Sequence, residues 1–360
     1  MNIACRIRWR HFRCYTYKLH KMKQNSFVFC LLVILISYSC KKDKTAASNA
    51  PANLTLDAIV STDNSGNVNF TATAANAISY EYDFGNGIFQ TVSNGIVTYR
   101  YPSSGTYTVK VLARGSGGQT VSKSIQITVT VALSLVWNEE FETAGAPNPA
   151  KWGYDIGAGG WGNAELQYYT NSLNNASVSG GTLKITAIKE NFSGSAYTSA
   201  RLLSKDKFSF KYGKVEVRAK LPAGGGTWPA IWMLGNNISS AGWPACGEID
   251  IMEHKGNDLN RIFGTLHYPG RSGGNADGAT TVISNATTEF HIYTLEWNTT
   301  SIKIAVDNNT YYNFTNSNVT PFNQNFFFIL NMAMGGTFGG AVDPAFTNAT
   351  LEIDYIRVYQ

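Results

Sequence analysis

Apolar and polar residues alternate in short runs from residue 53 to the C-terminus, without the 3.6-residue periodicity of amphipathic helices. Between residues 53 and 131, turn residues separate runs such as N-V-N-F-T-A-T and T-Y-T-V-K-V-L-A, which predicts a small antiparallel β-sandwich. Residues 132–360 continue the pattern, and a segment of this size predicts one large β-sandwich of the jelly-roll kind. The predicted fold is therefore all-β, with an Ig-like sandwich followed by a jelly roll.

The N-terminus has a different character. Ten apolar residues, Phe27–Ile36, follow Lys21 and Lys23; the run is too short for a membrane-spanning helix but typical of a secretory signal peptide. It ends in I-S-Y-S-C, which resembles the lipobox of bacterial lipoproteins. The resemblance implies cleavage before Cys40, lipidation of Cys40, and residence at the outer membrane or cell surface. An uncleaved signal anchor is the alternative.

Four segments follow from these patterns. A signal peptide that begins at Met22 would have the ordinary length, in which case residues 1–21 are an over-extended gene start. The predicted segments are a signal peptide (1–39), a Lys-, Ala- and Ser-rich linker (40–52), the Ig-like domain (53–131) and the jelly-roll domain (132–360).

The charge distribution argues against nucleic-acid binding, and the cysteine content argues against a disulfide-stabilised fold. The formal net charge of +5 comes from residues 1–39, which hold seven Lys or Arg and no acidic residue. Without residues 1–39 the chain has 22 basic and 24 acidic residues, so no basic surface for nucleic acid is expected. Apart from the predicted signal and Cys40, the only cysteine is Cys246, which rules out a disulfide framework and is predicted to be a small buried side chain.

The stretch W-P-A-C-G-E-I-D-I-M-E, residues 243–253, carries the candidate chemistry. Side chains alternate along a strand, so Glu248 and Asp250 share a face, whereas Glu253 would point the other way. One extra residue at Ile251–Met252, in a β-bulge, would return Glu253 to the acidic face. The two Glu Cα atoms would then lie ~13 Å apart, and inclined side chains could bring the carboxyls to roughly 5–6 Å, near the spacing of retaining glycosidases.

A solvated acidic strand is the alternative interpretation of this stretch. Repulsion among three carboxylates argues against it, as do the nearby residues Trp228, Trp232 and Trp243. By contrast, the alternating charges of K-V-E-V-R-A-K-L, residues 214–221, predict an ordinary solvated face.

Six stretches along residues 135–359 form a recognisable set of motifs: L-V-W-N-E-E-F (135–141), G-W-G-N-A-E-L-Q-Y-Y-T (160–170), G-G-T-W-P-A-I-W-M-L-G (225–235), W-P-A-C-G-E-I-D-I-M-E-H-K-G (243–256), G-T-L-H-Y-P-G (264–270) and D-Y-I-R-V-Y (354–359). Together they resemble glycoside hydrolase family 16, and specifically its laminarinase-type endo-β-1,3-glucanases. The resemblance implies that Glu248 is the nucleophile of a retaining mechanism, Glu253 the general acid/base, and Asp250 their supporting carboxylate. The extra residue at Met252 distinguishes this motif from the shorter motif of lichenases. The resemblance therefore favours β-1,3 linkages in the substrate.

The same resemblance implies further site residues and a β-glucan polysaccharide as partner. Apolar sugar faces stack on aromatic rings and polar side chains bind the hydroxyls; the candidates are Trp161, Asn163, Arg201, Trp228, Trp232, Trp243 and His267. No cofactor is expected for catalysis. A structural calcium ion is expected at Glu140, Gly181 and Asp354, because carboxylate and carbonyl oxygens suit it.

In the smaller domain, Y-D-F-G-N-G (82–87) and Y-R-Y-P-S-S-G-T-Y-T-V (99–109) resemble the PKD domain, which implies a spacer or a weak glycan-contacting module. The leading interpretation is an exported, monomeric, lipid-anchored endo-β-1,3-glucanase. The alternatives are a family 16 galactan hydrolase or transglycosylase and, from a different class, a non-catalytic glycan-binding lipoprotein.

Overall fold

The computed structural model describes residues 50–360. The predicted signal peptide, Cys40 and most of the predicted linker lie outside the described residues. Within residues 50–360, no helix is long and apolar enough to cross a membrane.

The smaller sandwich is built from seven antiparallel strands. They form a three-stranded sheet in the order β1-β2-β5 and a four-stranded sheet in the order β4-β3-β6-β7. The core between the sheets is rich in aromatic rings, including Phe70, Tyr82, Phe84 and Tyr101, all fully buried. The strands are β1 (Ala52–Val60), β2 (Asn67–Ala75), β3 (Ala77–Asp83), β4 (Phe89–Val92), β5 (Ile96–Arg100), β6 (Gly105–Gly115) and β7 (Thr120–Val129).

The larger sandwich packs a seven-stranded sheet, in the order β19-β18-β17-β16-β23-β14-β9, against a ten-stranded sheet. The path of the latter is β10-β13-β12-β24-β15-β20-β21-β22, with β11 beside β12 and β8 beside β24. The strands are β8 (Leu135–Glu139), β9 (Gly153–Tyr154), β10 (Gln167–Tyr169), β11 (Ala176–Ser179), β12 (Thr182–Phe192), β13 (Ser195–Ser199), β14 (Arg201–Leu203), β15 (Gly213–Lys220), β16 (Thr227–Gly235), β17 (Glu248–Lys255), β18 (Asp258–His267), β19 (Asp277–Val282), β20 (His291–Trp297), β21 (Ser301–Val306), β22 (Asn309–Thr315), β23 (Phe326–Met334) and β24 (Asn348–Tyr359). The two α-helices are single turns, α1 (Ile238–Ala241) and α2 (Gly336–Gly339).

Strand β23 is buried on both sides of the seven-stranded sheet. Its sequence, F-F-F-I-L-N-M-A-M, is buried at every position, and alternate residues such as Phe328 and Leu330 join the core between the sheets. The intervening residues, including Phe327 and Asn331, are buried on the opposite side, away from that core. The all-β fold with two sandwiches is as predicted from the alternation, and Cys246 is buried as expected.

The outward side of the ten-stranded sheet carries paired charges, and we call it the ion-paired face. Val215 and Val217 of β15 point into the core, so Lys214, Glu216, Arg218 and Lys220 point away from it. Lys214 pairs with Glu216, Arg218 with Asp354 and Lys220 with Glu352. Alternation thus separates the apolar and charged sides, as predicted for residues 214–221.

Candidate active site

A β-bulge in β17 gives the candidate site its shape. On the β16 side Asp250 pairs with Trp232 and Met252 with Ile231; on the β18 side Asp250 pairs with Thr265 and Glu253 with Phe263. Both registers therefore place one extra residue between Asp250 and Glu253. Ile251 and Met252 both join the core, so Glu253 returns to the side that carries Glu248 and Asp250. The predicted bulge is confirmed, and we call this side of the seven-stranded sheet the acidic face.

At one end of the acidic face, Glu248 meets an indole and an imidazole. Trp243 Nε1 donates to Glu248 Oε2 over 3.1 Å, and His267 Nε2 lies 3.5 Å from Glu248 Oε1. The Gly273 backbone N–H donates to His267 Nδ1 over 3.1 Å. Because Nδ1 must accept that bond, the hydrogen of the neutral ring is on Nε2, the nitrogen that faces the carboxylates.

Asp250 lies between the two glutamates and is 3% exposed. Its Oδ2 is 3.2 Å from His267 Nε2, at an angle that makes no hydrogen bond, so the contact is electrostatic. One ligand atom each from Glu248, Asp250 and His267 lies within 4.8 Å of the others. In the described part of the chain, this is the one group of three acidic, His or Cys side chains close enough to share a metal ion.

At the other end, both oxygens of Glu253 are held by neutral donors. Trp228 Nε1 donates to Oε1 and the Thr265 hydroxyl donates to Oε2, each over 3.0 Å. The side chain is 8% exposed, so its position is fixed and largely dry. Thr265 was not singled out from the sequence, although it lies two residues before His267 on β18 and therefore on the same side of the sheet.

Burial raises the pKa of all three carboxyl groups. The pKa of Glu248 rises to about 8, chiefly through burial and then through the charges of Asp250 and Glu253, while His267 and Arg201 oppose the rise. Burial and then the charge of Glu253 raise the pKa of Asp250 well above its usual range. Burial also raises the pKa of Glu253, against the donors Trp228 and Thr265. A raised pKa suits the general-acid role that the resemblance implies for Glu253, and its main cause is burial rather than the charges of the other carboxylates.

Beside the acid strand, an arginine lies between two tryptophan rings. The Arg201 guanidinium carbon is 4.9 Å from the Trp232 ring centroid and 5.0 Å from that of Trp161. Arg201 Nε also forms an ion pair of 2.9 Å with Asp155. Arg201 therefore contacts two other predicted substrate-binding side chains. Trp232 lies on β16, next to the carboxylate strand β17, and Arg201 lies on β14, three strands from β17 in the same sheet.

Two hydrogen bonds near this group were not anticipated. Trp232 Nε1 donates to Asn331 Oδ1 over 2.7 Å, and Asn163 Nδ2 donates to Glu165 Oε1 over 3.1 Å. Asn331 could have been found from the sequence, since it is the one polar residue among the nine positions of β23. Asn163 lies in the loop before β10, and its first partner is Glu165.

The residues predicted to bind calcium lie elsewhere, around the ten-stranded sheet. Arg357 donates to both oxygens of Glu140 over 2.9 Å, and Arg218 pairs with Asp354. Gly181 lies in the turn between β11 and β12. Arginines already neutralise both carboxylates, so as placed they do not fit a calcium site. Calcium binding there stays a prediction, against which these ion pairs argue.

The geometry of the acidic face suits cleavage of a glycosidic bond. Such cleavage needs one carboxylic acid that holds a proton at working pH and one carboxylate that can attack or activate water. Raised pKa values keep protons on the acidic face, and fixed donors hold both glutamates at the two ends of one short segment. Aromatic rings beside them offer surfaces on which sugar rings stack.

Comparison with known proteins agrees with this chemistry. Residues 163–357, just over half of the chain, match the model of glycosyl hydrolases family 16, and residues 44–132 match the PKD domain. The chain is 46% identical over 242 residues to a beta-glucanase of Rhodothermus marinus, covering 63% of this chain and 85% of that protein. It is 37% identical over 264 residues to glucan endo-1,3-beta-glucosidase A1 of Niallia circulans, of which it covers 38%.

A solved structure shows the same architecture. LamA of Zobellia galactanivorans, in complex with laminaritriose and laminaritetraose, superposes with a TM-score of 0.60 at 47% identity. The match covers 64% of this chain and all of that one. Together with the bulged acidic strand, these matches show that the chain belongs to family 16 of the glycosyl hydrolases.

Proposed function

We propose that this glycoside hydrolase is a retaining endo-β-1,3-glucanase, with Glu248 as nucleophile and Glu253 as general acid/base. The observation that carries the proposal is the bulge in β17, because it places both glutamates on one face of one strand. A retaining enzyme needs its two carboxyl groups close to one glycosidic bond, and a regular strand would separate them.

In the proposed first step, which requires Glu248 ionised and Glu253 protonated, Glu253 gives its proton to the glycosidic oxygen while a carboxylate oxygen of Glu248 attacks the anomeric carbon. The C–O bond to the leaving sugar breaks and an ester bond between Glu248 and the sugar forms. In the second step Glu253, now a carboxylate, takes a proton from water as the water oxygen attacks the same carbon. Glu248 leaves as a carboxylate and Glu253 is protonated again, so the chain's own residues complete the cycle without a cofactor.

Four neighbours tune the pair. Asp250 raises the pKa of Glu248, whereas His267, whose Nε2 lies 3.5 Å from Glu248 Oε1, opposes the rise in the pKa of both Glu248 and Glu253. Trp228 and Thr265 keep the Glu253 carboxyl in one orientation while its charge changes. We infer that these four neighbours, together with Glu253, set the pH range of the reaction.

The relatives support β-glucan as substrate. The R. marinus protein is a beta-glucanase, and the Z. galactanivorans structure holds laminari-oligosaccharides. In this chain Trp161, Trp228, Trp232 and Trp243 would stack on glucose rings, with Asn163, Arg201 and His267 as hydroxyl partners.

The substrate class is tested with purified protein on laminarin, lichenan, agarose and carrageenan, by following reducing ends. We expect release from laminarin as a ladder of oligosaccharides, which is the product pattern of endo action. Activity on agarose or carrageenan alone would replace the proposal with a galactan hydrolase. Products longer than the starting oligosaccharide would favour the transglycosylase. Binding to laminarin without any release of reducing ends would favour the glycan-binding lipoprotein.

We further propose that the protein is exported and lipid-anchored through Cys40 at the outer membrane or cell surface, and is monomeric, with the PKD-type sandwich as a spacer. The I-S-Y-S-C stretch and the apolar run before it support this. In cells that make the full chain, Cys40→Ser should move the protein from the membrane fraction to the soluble fraction. Cys246→Ser should leave it in the membrane fraction, since Cys246 is buried in the folded domain. Membrane retention of the Cys40→Ser protein would refute the anchor.

A further inference from the structure

A second buried carboxylate lies outside the catalytic strand. Glu165, in the loop before β10, is 9% exposed, and no Lys or Arg of residues 50–360 forms an ion pair with it. Three neutral donors surround it: Asn163 Nδ2 at 3.1 Å from Oε1, with Gln167 Nε2 at 2.7 Å and the Tyr169 hydroxyl at 3.2 Å from Oε2. A buried charge without a cation is costly, and these donors offset that cost.

The directions of the hydrogen bonds around Tyr169 are fixed by the other partners of the same groups. The Trp232 indole can only donate, so Asn331 must present its oxygen to Trp232 and its NH₂ to the Tyr169 oxygen, 2.9 Å away. Tyr169 thus accepts from Asn331, and its own hydrogen is free to point at Glu165. The pKa of Tyr169 is raised well above its usual range by burial and by the charge of Glu165, so the hydroxyl keeps that hydrogen.

Gln167 is fixed in the same way. Its Oε1 accepts the Met334 backbone N–H over 2.8 Å, which leaves only its NH₂ to face Glu165. Glu165 Oε2 is therefore the common acceptor of two donors, Gln167 and Tyr169, whose hydrogen-bond directions are fixed by their other partners. A carboxylate accepts on both oxygens, whereas an amide at this position would turn an NH₂ group toward at least one donor.

The chain of bonds ends at predicted substrate-binding groups. One arm runs from Glu165 through Tyr169 and Asn331 to Trp232, whose ring lies 4.9 Å from the Arg201 guanidinium. Tyr169 also contacts the Trp161 ring, with centroids 5.4 Å apart. The other arm is the single bond to Asn163. One carboxylate thus connects four side chains of the expected sugar-binding surface.

We propose that Glu165 is a positioning residue that orients Trp232, Arg201, Trp161 and Asn163 for binding the glucan chain. The proposal rests on the proposed function for the identity of the ligand. Glu165 would act in binding rather than in the bond-breaking step, because none of its hydrogen bonds reaches Glu248, Asp250 or Glu253.

Glu165→Gln tests the carboxylate, and Tyr169→Phe interrupts the arm to Trp232 while leaving the Glu165 carboxylate with its donors Asn163 and Gln167. With laminarin, Glu165→Gln should raise KM by about tenfold and change kcat by less than about threefold, because a ground-state binding surface is disturbed. Tyr169→Phe should raise KM by roughly threefold to fivefold. Since both variants act on one arm, the double variant should raise KM by less than the product of the single effects.

A matched control separates positioning from loss of stability. Glu139 is 8% exposed and lies on β8 in the other sheet, so Glu139→Gln makes the same chemical change at the same burial. Glu139→Gln should lower the melting temperature and leave KM unchanged. An unchanged KM in Glu165→Gln, or an equal rise in Glu139→Gln, would overturn the inference.

Binding is also measured by calorimetry with laminarihexaose in the Glu253→Gln background, where turnover does not interfere. Adding Glu165→Gln should weaken Kd by about tenfold, and an unchanged Kd would overturn the positioning role. A wild-type protein that binds laminarihexaose without hydrolysing laminarin would refute the proposed activity, while the loss of affinity in Glu165→Gln would still support the inference.

Discussion

Both sheets of the larger sandwich carry acidic residues on the side away from the core, yet the two sides differ in what neutralises them. On the ion-paired face, Glu140 and Glu352 lie against arginine or lysine. Bonds from Arg357 lower the pKa of Glu140; burial alone would raise the pKa of Glu352, but bonds from Lys220 and Lys184 outweigh it and lower that pKa. Around Glu248, Asp250 and Glu253 on the acidic face the nearest groups are indoles, a hydroxyl and an imidazole, and the pKa values of these three carboxyls are raised.

This contrast separates structural carboxylates from reactive ones. A cation keeps a carboxylate ionised and fixed, which suits a surface that only has to stay folded and soluble. Neutral donors hold a carboxylate in place but leave its proton affinity high, which suits proton transfer at a sugar bond. The partner of each acid, rather than acidity itself, marks the site.

The largest expected difference is in catalysis. Glu248→Ala or Glu253→Ala should lower turnover of laminarin by about 10³-fold or more, because each removes a group that takes part in bond cleavage. Glu216→Ala, which removes an acid of the ion-paired face, should change turnover by less than about twofold. Rates are compared at equal folded fraction by circular dichroism. A loss below tenfold in either catalytic variant would contradict its assigned role.

A smaller effect is expected from the acid between the two glutamates. Asp250→Asn removes a charge that raises the pKa of Glu248, so the limb of the kcat/KM profile in which Glu248 ionises should move to lower pH. Turnover should fall by roughly 10–100-fold, less than for either glutamate.

The control for that change lies on the other face. Asp354→Asn should leave the profile in place, because Asp354 pairs with Arg218 on the ion-paired face. An unmoved profile in Asp250→Asn would show that the two acids are not coupled.

The smallest difference is in stability against pH. The raised pKa of Glu248, about 8 against an ordinary 4.5, means that the folded state binds this proton more tightly than the unfolded chain. Its stabilisation is complete below about pH 4.5 and is lost as the pH rises toward 8. Glu248→Gln should therefore melt higher than wild type at pH 8, by at least ~2 °C, and the pH-dependent part of the gain should vanish near pH 4.

Glu352 should show the opposite sign, because its folded pKa is lowered. Its contribution is present above the unfolded pKa and is lost as the pH falls through the folded value. Glu352→Gln should melt slightly lower than wild type at pH 7, and the deficit should shrink in acid. Melting curves that shift in the same direction for both variants at pH 7–8 would remove the electrostatic contrast between the faces.

Much of this architecture follows from local sequence patterns. Alternation predicted the strands and the charged side of β15, and counting residues from Glu248 to Glu253 required a bulge, which both neighbouring strands confirm. The partners of the acids were harder to predict. Thr265 and Asn331 reach Glu253 and Trp232 from neighbouring strands, so their roles depend on register between strands that one sequence does not specify.

The arginine partners of Glu140 and Asp354 were missed for the same reason. Arg357 and Arg218 lie on strands of the ten-stranded sheet, 217 and 136 residues away along the chain. A carboxylate read from sequence alone carries no sign of whether a cation or an indole will face it. The distinction between structural and reactive acids was therefore accessible only from the packed sheets.

The central claim is that the bulge makes Glu248 and Glu253 act on one sugar bond by a covalent route. It is tested most directly by incubating the protein with a 2-deoxy-2-fluoro laminaribioside carrying a good leaving group, followed by mass spectrometry of its peptides. The account predicts one added disaccharide per chain, carried by Glu248 and absent in Glu248→Ala. An adduct on another residue, or hydrolysis that releases the inverted anomer with no adduct, would contradict it.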